Sequence, residues 1–279
     1  MDYLDKLTQL AQVRGEINIR CLFQGDWQVE HQPDAAEYQG LFHLKKGDLF
    51  FLPQNRPHFL GSSQQKRENS LQRAQSNALF NVHQIGAGTP DLKMFCGTFY
   101  YQKPSLLIDS LPDYLHLSLQ NTPVQPLVSL FLQEAEKPEQ GTKSVIDALS
   151  NVLFIYILRH AQQIGLLNQG LLAALQDKRL NQVLEKILFS PQLDWNIEQL
   201  AELASMSRAT FMRIFQQQLG MPPGKFLTQV RLEMAAVLLK NTQKTILAIA
   251  LEVGYQSEAH FSKAFKAIYG LSPSQFRKT

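Results

Sequence analysis

Two stretches of this 279-residue sequence carry side chains that could contact bases and phosphates. They are SRATFMRIFQQQLGMPP, residues 207–223, and SEAHFSKAFKAIYGLSP, residues 257–273. If both are helical, their outward positions hold Arg208, Ala209, Met212 and Arg213 in the first, and Glu258, Ala259, His260 and Lys263 in the second. Such side chains can reach base edges in a major groove, where arginine pairs with guanine and glutamate accepts from cytosine. We therefore take these residues as candidate DNA contacts.

The two stretches repeat one pattern, because five identical residue pairs are each separated by 50 positions. The pairs are Ser207/Ser257, Phe211/Phe261, Phe215/Phe265, Gly220/Gly270 and Pro223/Pro273. Serine is a good helix N-cap, two phenylalanines four residues apart share one helical face, and glycine suits a left-handed C-cap. A short helix with a small residue before each copy would complete a helix-turn-helix unit. One copy alone would fit a generic helical bundle equally well, but two copies favour the helix-turn-helix.

The spacing between the copies leaves room for one long connecting helix over residues 222–241. A stiff connector of this kind could hold two reading helices about 34 Å apart, which is one turn of B-DNA. The sequence therefore predicts that one chain reads two successive major grooves.

Composition agrees with a DNA-binding part at the C-terminal end. The net charge is +3, but residues 176–279 carry 13 Lys+Arg against 8 Asp+Glu, whereas residues 1–175 carry 14 against 16. A basic part suits contact with phosphates. No run of 18 apolar residues and no signal-peptide pattern occurs, so we expect a cytoplasmic protein with no membrane partner.

The periodicity of the sequence divides the chain into three regions. Residues 1–140 contain strand-like segments near 16–30, 41–60 and 92–101, with a polar segment at 61–77 that we expect to be an exposed loop. Residues 141–176 form a helical linker whose apolar helix at 145–164 is either buried in its own domain or a dimer seam. Residues 177–279 form a wholly helical DNA-binding domain.

The segment IALEVGYQSEAHFSKAFKAIYGLSPSQFRK, residues 249–278, resembles the signature of the AraC/XylS-type transcription regulators, and the resemblance extends from Trp195 to Lys278. It implies a sequence-specific DNA-binding regulator, not an enzyme, that binds double-stranded promoter DNA without a cofactor. The family's contact positions carry over to the eight outward residues named above. RNA polymerase and a second copy of the chain are further candidate partners.

The segment GDLFFLPQNRPHFL, residues 47–60, resembles the second motif of cupin barrels, in which the position of His58 can face a ligand or a metal. The implied fold is a cupin-like N-terminal β-barrel with flanking helices, joined to a C-terminal all-α domain with two helix-turn-helix units. The first cupin motif has no match, and one histidine is not a metal site. We therefore predict no metal and keep His58 as a ligand-binding candidate.

The only two cysteines, Cys21 and Cys96, would by default be inert buried thiols in a cytosolic protein. Their surroundings, RCLFQGDWQVEH and FCGTF, together with LPQN and SLPDYLHL, resemble the sensor domain of the reactive-chlorine-sensing regulators of the same family. That resemblance implies that both cysteines form an oxidant-responsive pair. Arg20 could lower the pKa of Cys21, although neighbouring strand residues point to opposite faces.

Two other functions remain open from the sequence. The regulator could respond to a small organic ligand in the barrel, lined by aromatic residues that could equally be core: Phe50, Phe51, Phe59, Phe95 and Phe99. A metal-dependent cupin enzyme is the rival class, but it would need a complete ligand set, which the sequence lacks.

Overall fold

A computed structural model describes residues 2–31, 41–45, 47–54, 58–62, 72–73 and 80–279. The chain divides into two compact units, each made of segments that are not consecutive in the sequence. The sheet unit consists of Arg14–Tyr100 and Pro112–Leu166, and the helical unit consists of Met1–Val13, Tyr101–Leu111 and Leu167–Thr279. We call Tyr101–Leu111 the strap, because it belongs to the helical unit although the sheet unit precedes and follows it in the sequence.

The sheet unit contains all strands of the described residues and two helices. The elements are β1 (Arg14–Phe23), β2 (Gln28–His31), β3 (Leu41–His43), β4 (Asp48–Phe51), β5 (His58–Gly61), β6 (Gln72–Arg73), β7 (Asn81–Ile85), β8 (Leu92–Tyr100), β9 (Leu115–Ser118), α3 (Gln125–Glu136) and α4 (Thr142–Gln163). The strands form three sheets in the orders β6-β7-β1-β8, β2-β5-β3 and β4-β9. Over the described ranges these sheets do not close into one barrel. Most of the predicted loop at 61–77 lies outside the described residues.

The apolar helix α4 is buried on one side within the sheet unit. It packs against β1, β9 and α3, and its buried side chains include Phe154, Ile157 and Leu158. Of the helices that the structure describes, α4 is long and apolar enough to cross a membrane by length and composition, a test that the core helix of a soluble protein also passes. Val145 and Val152 of this helix are exposed, and a dimer seam at this face stays a prediction.

The helical unit contains ten helices in the described residues. They are α1 (Tyr3–Ala11), α2 (Leu106–Asp109), α5 (Gly170–Ala174), α6 (Asn181–Phe189), α7 (Ile197–Leu203), α8 (Arg208–Leu219), α9 (Pro223–Asn241), α10 (Ile246–Glu252), α11 (Glu258–Tyr269) and α12 (Pro273–Phe276). Helix α1 carries a capping box between Asp2 and Asp5, and it buries Leu4, Leu7 and Leu10. It packs against α2, α6 and α9, so residues before the first strand complete the core of the helical unit.

Local sequence signals set the ends of the two repeated helices. The side chain of Ser207 accepts a hydrogen bond from the Thr210 amide at the start of α8, and the side chain of Ser257 accepts one from His260 at the start of α11. Both helices end at a left-handed glycine, Gly220 with φ 69° and Gly270 with φ 73°. The prolines that follow begin the next helices, α9 and α12, where the missing N–H costs little.

Candidate nucleic-acid interface and cysteine pair

Each repeated element is a short helix packed against a longer one. Helix α7 packs against α8, and α10 packs against α11, with buried Ala201 and Ala250 in the first helix of each pair. The connecting helix α9 joins the two pairs, as the spacing predicted. The four phenylalanines of the repeat, Phe211, Phe215, Phe261 and Phe265, are completely buried, and the two rings of each copy pack edge-on or tilted against each other. Burial of these rings fixes which face of α8 and α11 points to solvent.

The predicted contact residues lie on those outward faces. On α8, Arg208, Ala209 and Arg213 are exposed and Met212 is partly exposed. The guanidinium of Arg208 lies 2.8 Å from the carboxylate of Glu198 on α7, so Arg208 must exchange this exposed partner to bind a phosphate. Arg213 lies one turn further along, where its side chain is exposed. The face thus combines two cations with a small apolar patch.

Helix α11 presents a similar exposed face with a different charge pattern. Its four predicted residues, Glu258, Ala259, His260 and Lys263, are all exposed. The acidic Glu258 stands at the position that Arg208 occupies in the first copy, where a carboxylate at a helix N-terminus is favourable for the free helix but repels phosphate. The outward faces of α8 and α11 therefore differ in charge at this position.

Two further exposed residues extend both faces by one turn. Gln216 on α8 and Lys266 on α11 are exposed, and they are separated by the same 50 positions as the repeat. They follow Arg213 and Lys263 by three residues, which places them on the same side of each helix. Neither residue was among the predicted contacts, although the 50-residue spacing of the repeat was sufficient to find both.

The two cysteines lie on neighbouring strands and face each other in the core of the sheet unit. In the antiparallel pairing of β1 with β8, Ile19 pairs with Cys96 and Cys21 pairs with Met94, so the cysteines are diagonal neighbours on one face. Their Sγ atoms are 3.7 Å apart, and neither cysteine forms a disulfide. Cys21 is 2% exposed, whereas Cys96 is partly exposed. A disulfide requires the sulfur atoms to approach to about 2.05 Å.

The hydrogen bond between the thiols makes them chemically unequal. The bond with Cys21 lowers the pKa of the Cys96 thiol, although burial opposes this shift. The same bond raises the pKa of Cys21, and burial adds to the increase. The arrangement thus favours a thiolate at Cys96 with Cys21 as its S–H donor. Arg20 turns toward Glu136, whose carboxylate is 3.9 Å from the guanidinium, so its charge is already paired.

His58 and four of the five candidate phenylalanines, Phe50, Phe51, Phe95 and Phe99, contact other aromatic rings in the sheet unit. His58 is 3% exposed in β5, and its ring is 5.8 Å from that of Phe50. Phe51 and Phe99 pack instead against Phe154 of α4, and Phe95 contacts Phe80. Among the residues that the structure describes, no group of three His, Cys, Asp or Glu side chains is arranged to hold a metal ion.

Comparison with known protein families assigns both parts of the chain. A family model described as a helix-turn-helix domain matches residues 200–279, which include α8 to α12. A second model, described as a cupin, matches residues 2–163. The second match covers more than half of the chain and includes both cysteines.

Full-length relatives with the same organisation carry names of regulators. An uncharacterized HTH-type transcriptional regulator of Haemophilus influenzae is 63% identical, over 100% of this chain and 99% of the relative. The HTH-type transcriptional regulator MtrA of Neisseria gonorrhoeae is 37% identical, over 100% and 98%. The RCS-specific HTH-type transcriptional activator RclR of Escherichia coli is 28% identical, over 100% and 98%. The chain therefore belongs to the AraC-type family of helix-turn-helix transcriptional regulators with an N-terminal cupin domain.

Proposed function

We propose that this regulator senses reactive chlorine species through Cys21 and Cys96, and that α8 and α11 read promoter DNA. The observation that carries the sensing proposal is the distance of 3.7 Å between two Sγ atoms on adjacent strands. The relative named as an RCS-specific activator supports the chlorine species as the signal. We infer further that the protein works in the cytoplasm as an activator, with RNA polymerase as a partner.

The DNA-binding part of the proposal rests on the exposed faces of the two repeated helices. Arg208, Ala209, Met212 and Arg213 on α8 and Glu258, Ala259, His260 and Lys263 on α11 are the residues proposed to contact DNA. Because α11 has one acidic position where α8 has a basic one, we infer that α8 contributes more phosphate contacts and α11 more base selection. Promoter half-sites one helical turn apart would fit two reading helices in one chain.

The sensing reaction involves two electrons and two sulfur atoms. The Cys96 thiolate attacks the chlorine of hypochlorous acid, which forms a Cys96 sulfenyl chloride and releases hydroxide. The Cys21 sulfur then displaces chloride from the Cys96 sulfur, and the Cys21 proton is released as the disulfide forms. The chlorine is reduced to chloride, and two thiols are oxidised to one disulfide.

The test is mass spectrometry of purified protein before and after one equivalent of hypochlorous acid. We expect a peptide pair linked through Cys21 and Cys96 in the treated wild type, and its loss after reduction by dithiothreitol. Cys21→Ser and Cys96→Ser should each abolish both the linkage and the transcriptional response to hypochlorous acid. Met94→Leu is a matched control, because Met94 pairs with Cys21 across the strands and is also oxidisable.

A wild type that stays unlinked while its promoter still responds to hypochlorous acid would rule out the disulfide. A response that persists in both serine variants would instead favour a ligand bound elsewhere in the sheet unit. An unchanged response in Met94→Leu would exclude methionine oxidation at this strand position as the signal.

A further inference from the structure

The strap follows the cysteine-bearing strand directly. Strand β8 carries Cys96 and ends at Tyr100, and the strap begins at the next residue. Its side chains at Leu106, Leu107 and Ile108 are almost completely buried in the helical unit. Five residues, 101–105, therefore separate the end of β8 from the buried start of α2.

A buried carboxyl group on α9 holds the strap. The backbone N–H of Leu106 donates to Oε1 of Glu233 over 2.6 Å, and the side-chain amide of Gln229 donates to the same oxygen over 3.3 Å. Glu233 is 2% exposed. Burying a carboxyl group is costly unless it is hydrogen-bonded, so this specific contact holds the strap in addition to the apolar packing of its leucines.

Two titratable groups interact electrostatically with Glu233, Asp109 of the strap and Tyr269 of α11. Burial raises the pKa of Glu233 to about 8 and Asp109 adds to the increase, whereas the hydrogen bonds from Leu106 and Gln229 oppose it. Burial, together with Glu233, raises the pKa of Tyr269. Glu233 is therefore hydrogen-bonded to the strap and lies close enough to α11 to influence Tyr269.

The strap also reaches the first reading helix through packing. Helix α2 of the strap packs against α5, and α5 packs against α8. At Gly170, the first residue of α5, a side-chain Cβ would come within 2.6 Å of the backbone oxygen of Ser110. Such a close approach leaves little room for the strap to move without moving α5.

We propose that the hydrogen bond between Leu106 and Glu233 is the joint through which the redox state of Cys21 and Cys96 reaches α9 and the reading helices. The inference rests on the proposed oxidant sensing. Diagonal neighbours in a sheet lie about 7–8 Å apart, which is beyond the usual Cα separation across a disulfide, so we expect closure of the bond to draw β8 toward β1. The strap carries this shift to the Leu106 N–H, and Glu233 passes it to the helix that spaces the two helix-turn-helix units.

The test uses amide hydrogen exchange of the full-length protein, reduced and after one equivalent of hypochlorous acid. In the wild type we expect oxidation to change exchange in peptides that span the strap and in peptides that span α9. Leu106→Pro removes the N–H donor at the first residue of α2, where proline fits because Ser105 is extended at φ −138° and ψ 117°. Leu106→Ala is the matched control, since it shortens the same side chain but keeps the donor.

We expect Leu106→Ala to keep the oxidation-dependent change in α9 and Leu106→Pro to lose it, while the disulfide forms equally in both. Glu233→Gln, which retains an oxygen acceptor, should keep the change, and Glu233→Leu should lose it. This second pair decides the question if Leu106→Pro does not fold. DNA binding gives a second measurement, with DNA selected from a random pool by the wild type. For a coupling of ordinary size, oxidation should change the affinity of the wild type for this DNA by about 5- to 150-fold. In Leu106→Pro and Glu233→Leu, the ratio of the oxidised to the reduced affinity should fall toward 1.

If oxidation still changes amide exchange in α9 by the wild-type amount in Leu106→Pro or Glu233→Leu, the proposed joint is wrong. Equal loss of the response in Leu106→Ala and Leu106→Pro would also overturn it, because side-chain packing would then be the cause. If the disulfide forms in the wild type but amide exchange in α9 does not change, the proposed joint is wrong while the proposed oxidant sensing stands. Absence of the linkage in the wild type would overturn both.

Discussion

The chemistry of the two thiols depends on which of them keeps its proton. Cys21 is 2% exposed and shares a hydrogen bond with Cys96, which is partly exposed. The thiolate is the nucleophile in thiol oxidation, and its reactivity follows pKa and access. The lowered pKa of Cys96 and its greater exposure therefore both favour attack at Cys96.

Alkylation rates should separate the two cysteines. In the reduced protein we expect iodoacetamide to modify Cys96 faster than Cys21, and the Cys96 rate to begin rising at a lower pH than that of an ordinary thiol. Cys21→Ala removes the S–H donor that lowers the pKa of Cys96, so the pH profile should move upward in that variant. Peptide mass spectrometry over a pH series measures both rates. Faster modification of Cys21 would contradict this order.

Arg213 and Arg208 should differ in their contributions to DNA binding. Arg213→Ala should weaken binding to a selected DNA site by about 1–3 kcal/mol if the guanidinium contacts a guanine. Arg208→Ala should cost less, because Arg208 gives up its ion pair with Glu198 when it binds. Fluorescence anisotropy at several salt concentrations measures both effects. Arg179→Ala serves as the control, since Arg179 pairs with Asp177 before α6, and a loss equal to that of Arg213→Ala would show a nonspecific charge effect.

At the level of the elements, the caps of the repeated helices should tolerate alanine differently from an ordinary helical position. Gly270 has φ 73° and open space where a Cβ would lie, so Gly270→Ala should destabilise the helical unit by about 1–2 kcal/mol through backbone strain alone. Gly224 lies in the first turn of α9, also with open space, and Gly224→Ala should instead stabilise by about 0.4–1 kcal/mol. Thermal unfolding measures both, and shifts of the same sign would refute the strain argument.

The buried carboxyl of α9 should make the helical unit sensitive to alkaline pH. Burial raises the pKa of Glu233 from 4.5 to about 8, so the folded state binds this proton more tightly than the unfolded chain. Its contribution to stability is therefore complete below pH 4.5 and is lost as the pH rises through about 8. Denaturant unfolding between pH 5 and pH 8.5 should show a steeper decline in the wild type than in Glu233→Gln, by at most about 1.4 kcal/mol per pH unit. The exposed Glu202→Gln should keep the wild-type decline.

The sequence predicted the elements that depend on local signals better than those that depend on distant contacts. Repeated caps and phenylalanines located α8 and α11 with their outward residues, because each signal lies within one helix. The three-segment composition of the helical unit could not be predicted, because nothing local in α1 or α2 shows what covers Leu7 or Leu107. The capping box of Asp2 and the spacing of the leucines could have revealed α1 as a helix. The contact between Glu233 and Leu106 spans 127 positions and left no local signal.

On the scale of the whole molecule, each unit has one tryptophan that reports on it. Trp27 lies in the sheet unit and Trp195 in the helical unit, and the sequence contains 2 tryptophans in all. Leu7, 1% exposed in α1, contributes to the core of the helical unit. In a Trp27→Phe background, Leu7→Ala should therefore shift the fluorescence unfolding transition of Trp195 by about 2–5 kcal/mol. A transition that stays in place would mean that α1 contributes nothing to this unit.

Because the helical unit is built from three separate segments of the chain, its parts are synthesised at different times. Helix α1 is made before residues 167–279, which supply α6 and α9 as its neighbours. At about 5–20 residues per second, the leucines of α1 wait about 10–50 seconds for that surface. During this interval the apolar face of α1 is not covered by α6 and α9, and a ribosome-associated chaperone could bind it.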